Sequence, residues 1–268
     1  MVEIFDNIRK IYQFSPPCEE LADFVEFFSE SSSEATHAHF KNAFTVRMFP
    51  SWTPTFWINL GSAYYLATKN NRCLVQPGQD VVILRDSTVE RCNLPDDHIF
   101  TVKFFPGGME AIFDIDQSKL INKVADLREI LPASLILCVR KMTGFENRIK
   151  LLQDFFLCQL KIKKSRDHYI RLVTKSIAYY EAGDMQYNVS EMSARLFTTS
   201  KSINRYFNRV IGTTPKNYFS ILRTRTALTT YVGNKKTFIP SDFGYYDMSH
   251  FYKHVVMFTG RKLGEHTP

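Results

Sequence analysis

The stretch Val189-Ser-Glu-Met-Ser-Ala-Arg-Leu-Phe-Thr-Thr-Ser-Lys-Ser-Ile-Asn-Arg-Tyr-Phe207 decides how the chain is read. A helix opening at Ser190 turns Met192 and Leu196 to one side, the i, i+4 spacing of an amphipathic helix. Thr198-Thr199 interrupts it. Thr199 suits the N-cap of a second helix, because its hydroxyl accepts from the orphan amides of the first turn. In that second helix Ile203, Tyr206, Phe207 and Val210 fall on the inward face, and Lys201, Asn204, Arg205, Asn208 and Arg209 on the outer one. Gly212 then ends the helix as a left-handed residue. A short buried helix, a brief turn and a helix with a polar, basic outer face make a helix-turn-helix. Such a face suits duplex DNA: the major groove admits one helix, and Lys, Arg and Asn carry donors that match guanine and adenine edges. An ordinary amphipathic helix with a solvated face has the same periodicity, so this stretch alone leaves both readings open.

A second unit follows the same grammar. In Gly244-Tyr-Tyr-Asp247-Met-Ser-His-Phe251-Tyr-Lys-His-Val-Val-Met-Phe-Thr-Gly260, Asp247 is placed to cap, Phe251 and Val255 lie inward, and Gly260 closes the helix. Gly244-Tyr245-Tyr246-Asp247-Met248-Ser249-His250-Phe251 resembles the G-F-x-D-x-S-H-F signature of AraC/XylS-type bacterial transcription regulators. The family's earlier pattern is matched by Ile203-Asn204-Arg205-Tyr206-Phe207, Gly212 and Pro215-Lys216-Asn217-Tyr218. Its linker-helix pattern is matched by Arg223-Thr-Arg-Thr-Ala227-Leu228. The resemblance covers about residues 166–268 and keeps the order of motifs.

That resemblance implies two recognition helices joined by one long helix, expected from Pro215 to Tyr231. They would enter successive major-groove faces roughly one turn of duplex (about 34 Å) apart. Carried over by position, Lys201, Asn204 and Arg205 would read bases in the first unit, and Met248, Ser249, Tyr252 and Lys253 would occupy the equivalent face of the second. Arg205 leads this set, since a guanidinium grips guanine O6 and N7 together, worth about 1–3 kcal/mol of discrimination. Arg209 and Lys216 are assigned to phosphates, which position without reading sequence. His250 is assigned to capping or packing. The chain departs from the family pattern at Phe197 (usually a small turn residue), Pro240 (usually a helical Ala), Val255-Val256-Met257 (usually an aromatic and bases) and Leu263 (usually Pro). Pro240 predicts a late or kinked start for the first helix of the second unit. The first unit is therefore expected to dominate affinity.

Charge supports this division. Residues 166–268 carry 15 Lys+Arg against 7 Asp+Glu, so the net +7 of the 268-residue chain sits on its last hundred residues, while the rest is near neutral. A basic part joined to a neutral part fits a polyanion binder carried by something else. With 44% hydrophobic and 23% charged residues a packed core is feasible and wholesale disorder is excluded. The longest uncharged apolar stretch, Ile130 to Val139, is ten residues, against about 20 for a membrane span. The acids of Met1-Val-Glu-Ile-Phe-Asp6 do not fit a secretory leader. Cys18, Cys73, Cys92, Cys138 and Cys158 are odd in number and contain no C-x-x-C pair, as expected of free thiols in a reducing cytoplasm.

Ahead of the tail, Glu19 to Phe28 reads as a short helix and Ser29 to Ser33 as a loop. Short runs rich in aromatic and β-branched residues follow at Ala43–Phe49, Thr55–Leu60, Cys73–Gln76, Asp80–Leu84 and His98–Phe105, broken by turn residues such as Pro77-Gly78 and Pro95. They predict a sandwich or small barrel. Leu120, Val124 and Leu127 predict a helix, as do Ile149, Leu152, Phe156 and Leu160 within Glu146–Lys161, and Ile170, Val173, Ile177 and Tyr180 within Tyr169–Glu181. Lys161-Ile-Lys-Lys-Ser-Arg166 reads as a linker. The β-rich part resembles the cupin-like sensing domains of AraC-type regulators, and Val102-Lys-Phe-Phe-Pro-Gly-Gly resembles a V-x-F-x-P-G-G element of one such group. This implies ligand sensing or dimerisation.

The expectation is an α+β chain: a β-rich cupin-like sandwich or barrel domain (1–145), a helical linker or dimer helix (146–165) and an all-α tandem helix-turn-helix domain (166–268). Its expected partners are double-stranded DNA, a small-molecule effector, a second copy and RNA polymerase, with no cofactor, no metal and no membrane. Helix Glu146–Lys161 either forms a dimer surface or packs on its own β-domain. Two other classes compete. His37-x-His39, on a strand, would share a face and could bind one ion in a metal cupin enzyme, although His98 is the only further histidine of that half. A protein–protein adaptor that kept the fold without DNA binding is the other. No Ser/His/Asp arrangement or Walker loop appears, and Gly107-Gly108 reads as a turn after Pro106, not a phosphate cradle.

Overall fold

Three strands alternate between two apolar neighbourhoods. Phe56 and Ile58, Val82 and Leu84, and Phe100, Val102 and Phe104 share one buried cluster with the helices; Trp57, Val81, Ile83 and Ile99 share another with a second sheet. Side chains of a strand point alternately to its two faces, so these strands are covered on both sides. The computed structural model, which describes residues 11–94, 96–162, 168–183, 185 and 187–266, shows why.

The chain runs β1 (Tyr12–Ser15), β2 (Val25–Ser31), α1 (Ser33–His39), β3 (Phe44–Met48), β4 (Pro54–Asn59), β5 (Tyr64–Ala67), β6 (Arg72–Val75), β7 (Val81–Leu84), β8 (Val89–Asn93), β9 (Ile99–Phe104), α2 (Gly108–Phe113), β10 (Val124–Asp126), α3 (Ala133–Lys141) and α4 (Phe145–Ile162). It continues as helices: α5 (His168–Ala182), α6 (Val189–Arg195), α7 (Ser200–Val210), α8 (Pro215–Gly233) and α9 (Met248–Thr259). An antiparallel sheet in the order β1-β2-β9-β4-β7-β10 packs one face on the helices and the other on a sheet ordered β3-β8-β5-β6. The fold is α+β, a β-rich half followed by helices.

Two expected helices are replaced by strands. Glu19–Phe28 gives only a 3-10 turn at Glu19–Leu21 before β2, which pairs with β9 through a bulge at Glu26; Ser29–Ser31 extend the strand and Ser32 caps α1. Cross-strand pairing of Phe28 with Val102 outweighs the weak helical preference of an acid-rich run. Around Leu120, Val124 and Leu127, Asn122 takes a left-handed φ of 56°, and Val124–Asp126 pair with Val81–Ile83 as an edge strand between 3-10 turns. His37 and His39 lie on α1, not on a strand. Two positions apart on a helix they share no face, and each Nδ1 meets a backbone carbonyl four residues back.

Helix α4 spends its apolar face on its own β-half. Phe156 meets Phe104 and Phe113, Arg148 holds the Glu30 carboxylate of β2 at 2.8 and 3.0 Å, and Gln153 accepts the amide of Cys18. Residues 163–166 of the expected linker, Pro95 and the first ten residues lie outside the described ones. After the linker the core does not stop. Ile170, Phe207, Val210 and Ile211 belong to the same buried cluster as Phe104 and Met109. Gly107, at φ +80°, sits where a Cβ would come within 3.0–3.1 Å of Val210 and Ile170, so a glycine lets the halves close. Gln117 donates its amide to the carbonyls of both Trp52 and Ile211, stitching the end of α7 to the β-half.

Candidate nucleic-acid interface

Each element of the first unit is fixed by its own caps. Asn188 accepts from the amides of Ser190 and Glu191 while Glu191 returns a bond to the Asn188 amide, a complete capping box at the start of α6. Thr199 caps α7 by accepting from Ser202, Ile211 ends it, and Gly212 follows at φ +90°. Inward, Met192, Ile203, Phe207 and Val210 are wholly buried, and Phe207 packs edge-on against Phe219 of α8, which stacks on Tyr180 of α5 at 4.2 Å. Tyr206 is half-buried and not fully inward.

Outward, Lys201, Arg205 and Asn208 are exposed. The Arg205 guanidinium lies 4.8 Å over the Tyr206 ring and donates to its hydroxyl, an arrangement that steadies a long cation without covering it. Asn204 is half-buried and its amide nitrogen donates back to the Ser200 carbonyl at 2.8 Å. Lys216 is exposed at the head of α8.

Arg209 is placed differently from its sequence assignment. Its Nε donates to the fully buried Glu110 of α2 at 2.5 Å, and its guanidinium covers the Tyr169 ring at 4.8 Å. Tyr169 donates to the same Glu110 oxygen at 2.9 Å, and burial together with that carboxylate pushes the phenol up to about 12. A cation assigned to phosphate is thus tied, in this arrangement, to the β-half. Glu110 carried no signal in the sequence, because it sits in a short helix behind two glycines that reads as a turn.

The second unit is looser. Its first helix is a single 3-10 turn, Pro240–Phe243, closed by Gly244 at φ +66°, in line with the restriction Pro240 imposes. Asp247 caps α9 by accepting from His250 at 2.7 Å, Phe251 and Val255 are buried, and Gly260 ends the helix at φ +69°. Met248, Ser249, Tyr252 and Lys253 are all exposed. His250 packs on Tyr245 and His254, and its Nδ1 accepts from the Tyr246 amide. His254, desolvated and near Arg223 and His250, is held down to about 4. The two units hang from opposite ends of α8, capped by Thr214 with Pro215 in its first turn. Thr88 of the β-half donates to the Phe258 carbonyl at 3.0 Å, a second tie across the chain.

Between the sheets lies a polar interior that the sequence reading missed. Arg85, Arg91 and Lys103, none more than 2% exposed, line a cavity of about 40 Å³ with Tyr12, Thr55 and Trp57. Arg91 donates to Asn93 and Tyr12 and is ringed by Tyr12, Trp57 and Tyr64; Lys103 donates to Ser51, and Arg85 to the Phe49 carbonyl. The signal was the alternation Val89, Arg91, Asn93 inward, visible only once Val89–Asn93 is read as a strand. Among the described residues no group of three or more His, Cys, Asp or Glu could hold a metal ion, and no helix is long and apolar enough to cross a membrane. All five cysteines are free thiols.

No family model matches the chain, and no curated protein does. Solved structures do. The chain is similar to ToxT from Vibrio cholerae at a TM-score of 0.48 and 10% identity, covering 84% of this chain and 97% of that one. It is similar to unsaturated-fatty-acid-bound ToxT at 0.44 and 10%, covering 84% and 92%. It is also similar to the AraC-like transcriptional activator CuxR at 0.34 and 11%, covering 84% and 88%.

Proposed function

We propose that the chain is a sequence-specific DNA-binding transcription regulator whose β-rich half governs how the helical tail meets the duplex. One observation carries this reading: both capped helices bury an apolar stripe, Ile203, Phe207 and Val210 in one and Phe251 and Val255 in the other, while leaving donor-bearing residues in solvent. Lys201, Asn204 and Arg205 form the base-reading face of the first unit, and Met248, Ser249, Tyr252 and Lys253 that of the second. Lys216 holds a phosphate. Arg209 does so once it leaves Glu110.

The β-half acts through the ties already described. Glu110 competes with phosphate for Arg209, and Gln117 and Thr88 fix α7 and α9 to the sheets. An effector that opens the cation-lined interior between the sheets, or a second copy of the chain, shifts those ties. The boundaries 1–145, 146–165 and 166–268 serve as working limits of sensing, connecting and DNA-binding parts, and RNA polymerase is the downstream partner. The protein acts in the cytoplasm and has no catalytic role of its own.

The test is selection of bound duplexes from a random library by the purified full chain. Enrichment of one motif, with binding lost steeply as salt rises, supports the reading. Uniform recovery of all sequences refutes sequence-specific reading, and no retention even at low salt refutes DNA binding and favours the adaptor.

A further inference from the structure

A helix commonly ends on a residue in the left-handed conformation, and that place is usually given to glycine because a Cβ is strained there. Helix α6 ends this way: Phe197 donates to the Ala194 carbonyl and Thr198 to the Ser193 carbonyl, the paired bonds of a Schellman turn, with φ +51° at Phe197. The second unit meets its own left-handed turn with Gly244. The first unit instead places there a phenyl ring that is 98% exposed. Nothing in the fold recovers the cost of that choice, since the ring buries nothing. Tyr246, one residue ahead of the α9 cap, is likewise 92% exposed.

Both rings stand at the leading ends of the helices assigned to the major groove, two residues before Thr199 and one before Asp247. The N-terminal end of a recognition helix is the part that meets base edges. The helix that follows Phe197 carries the exposed cations Lys201 and Arg205, which draw a polyanion to that unit. An uncharged, solvent-exposed aromatic ring at the head of that helix suits the 5-methyl group of thymine, the apolar feature the major groove offers. We infer that Phe197 and Tyr246 are direct DNA contacts of the two units, with Phe197 reading a thymine methyl. This rests on the DNA-binding reading above and adds to it two residues and a base preference.

The experiment uses the full chain and the duplex recovered by library selection, with each thymine replaced in turn by deoxyuridine, which removes only the methyl. Wild type is expected to lose about three- to tenfold in affinity at one or more positions near the first unit's footprint. Phe197→Gly is expected to bind the parent duplex more weakly by a similar factor and to be indifferent to that same replacement. Its Tm should stay level or rise, because glycine relieves the left-handed strain at a ring that packs on nothing. Tyr246→Ser should weaken binding with its own, separate footprint.

Three results would overturn the inference while leaving the regulator reading intact. One is equal affinity of Phe197→Gly and wild type. Another is a deoxyuridine profile unchanged by the substitution. The third is retained DNA affinity with lost activation in a reconstituted transcription assay, which would turn the ring toward a protein. Failure of wild type to bind any duplex would remove both.

Discussion

Replacing Glu110 by Gln tests the link between the two halves most directly. The carboxylate is fully buried and accepts from both Arg209 and Tyr169. Glutamine keeps the size and an oxygen for the Tyr169 hydroxyl, so the change removes charge and little else. A hydrogen bond between charged groups contributes about 1.5–3 kcal/mol. The Arg209 side chain is 45% exposed, so water takes up part of what the pair loses, leaving about 1–2 kcal/mol. That is the cost wild type meets when Arg209 turns to a phosphate, and the variant, which keeps only a neutral acceptor there and the 3.4 Å pair with Asp114, is spared most of it. Affinity for the selected duplex should therefore rise by about 5–30-fold. One further phosphate contact should also steepen the dependence of log affinity on log salt by about 0.9. Fluorescence anisotropy over a salt series reads both quantities. Unchanged affinity and slope, or weaker binding, would refute the reasoning and make Glu110 a packing residue only.

Other perturbations bear on separate links. Arg205→Ala should weaken binding to the preferred sequence by about 1–3 kcal/mol and relax selection at one base pair, measured by repeating the library selection. Lys253→Ala should cost less, because the unit it belongs to has only a 3-10 turn for its first helix; the reverse order would place the stronger grip on α9. For pH, His254 is held at about 4 against an ordinary 6.5, so between those values the unfolded chain takes up a proton the folded one refuses. Stability should fall as pH drops from 6.5 towards 4 and be insensitive to this group above that window. His254→Gln should flatten the slope of Tm against pH there without abolishing it, since burial also lowers His266. Finally, an added Cβ at Gly108 would stand 1.9 Å from the Phe24 carbonyl, whereas one at Gly233 would meet nothing within 4 Å. Gly108→Ala should cost about 2–3 kcal/mol and Gly233→Ala nothing, by thermal melts.

The tail was legible because its signals are local. Thr199, Asp247, Gly212 and Gly260 act on the turn they sit in, and each does in the structure what its chemistry predicts. The β-half was legible only where strands alternate between clear turns. Val25–Ser31 and Val124–Asp126 are strands because a partner distant in sequence supplies the hydrogen bonds, and no residue within either segment announces that partner. The same limit hid the contacts on which the proposed function rests. Arg209 reads as one more outward base of a helix until α2 brings Glu110 beside it, a separation of 99 positions. Arg85, Arg91 and Lys103 carry no local sign of burial until two sheets close over them. Phe197 stood out as an odd turn residue, but its almost complete exposure is a property of the folded chain.

The buried cluster that runs unbroken from the sheet into α5 and α7 has a practical consequence for anyone wishing to cut this protein in two. Severing the chain ahead of α5 would uncover Ile170, Val210 and Ile211 on one fragment and the ground around Met109 on the other. Such raw oily surfaces favour clumping over clean monomers. Fragments meant for separate expression would call for polar replacements along that seam, and in the uncut chain heating should melt both halves together in one step.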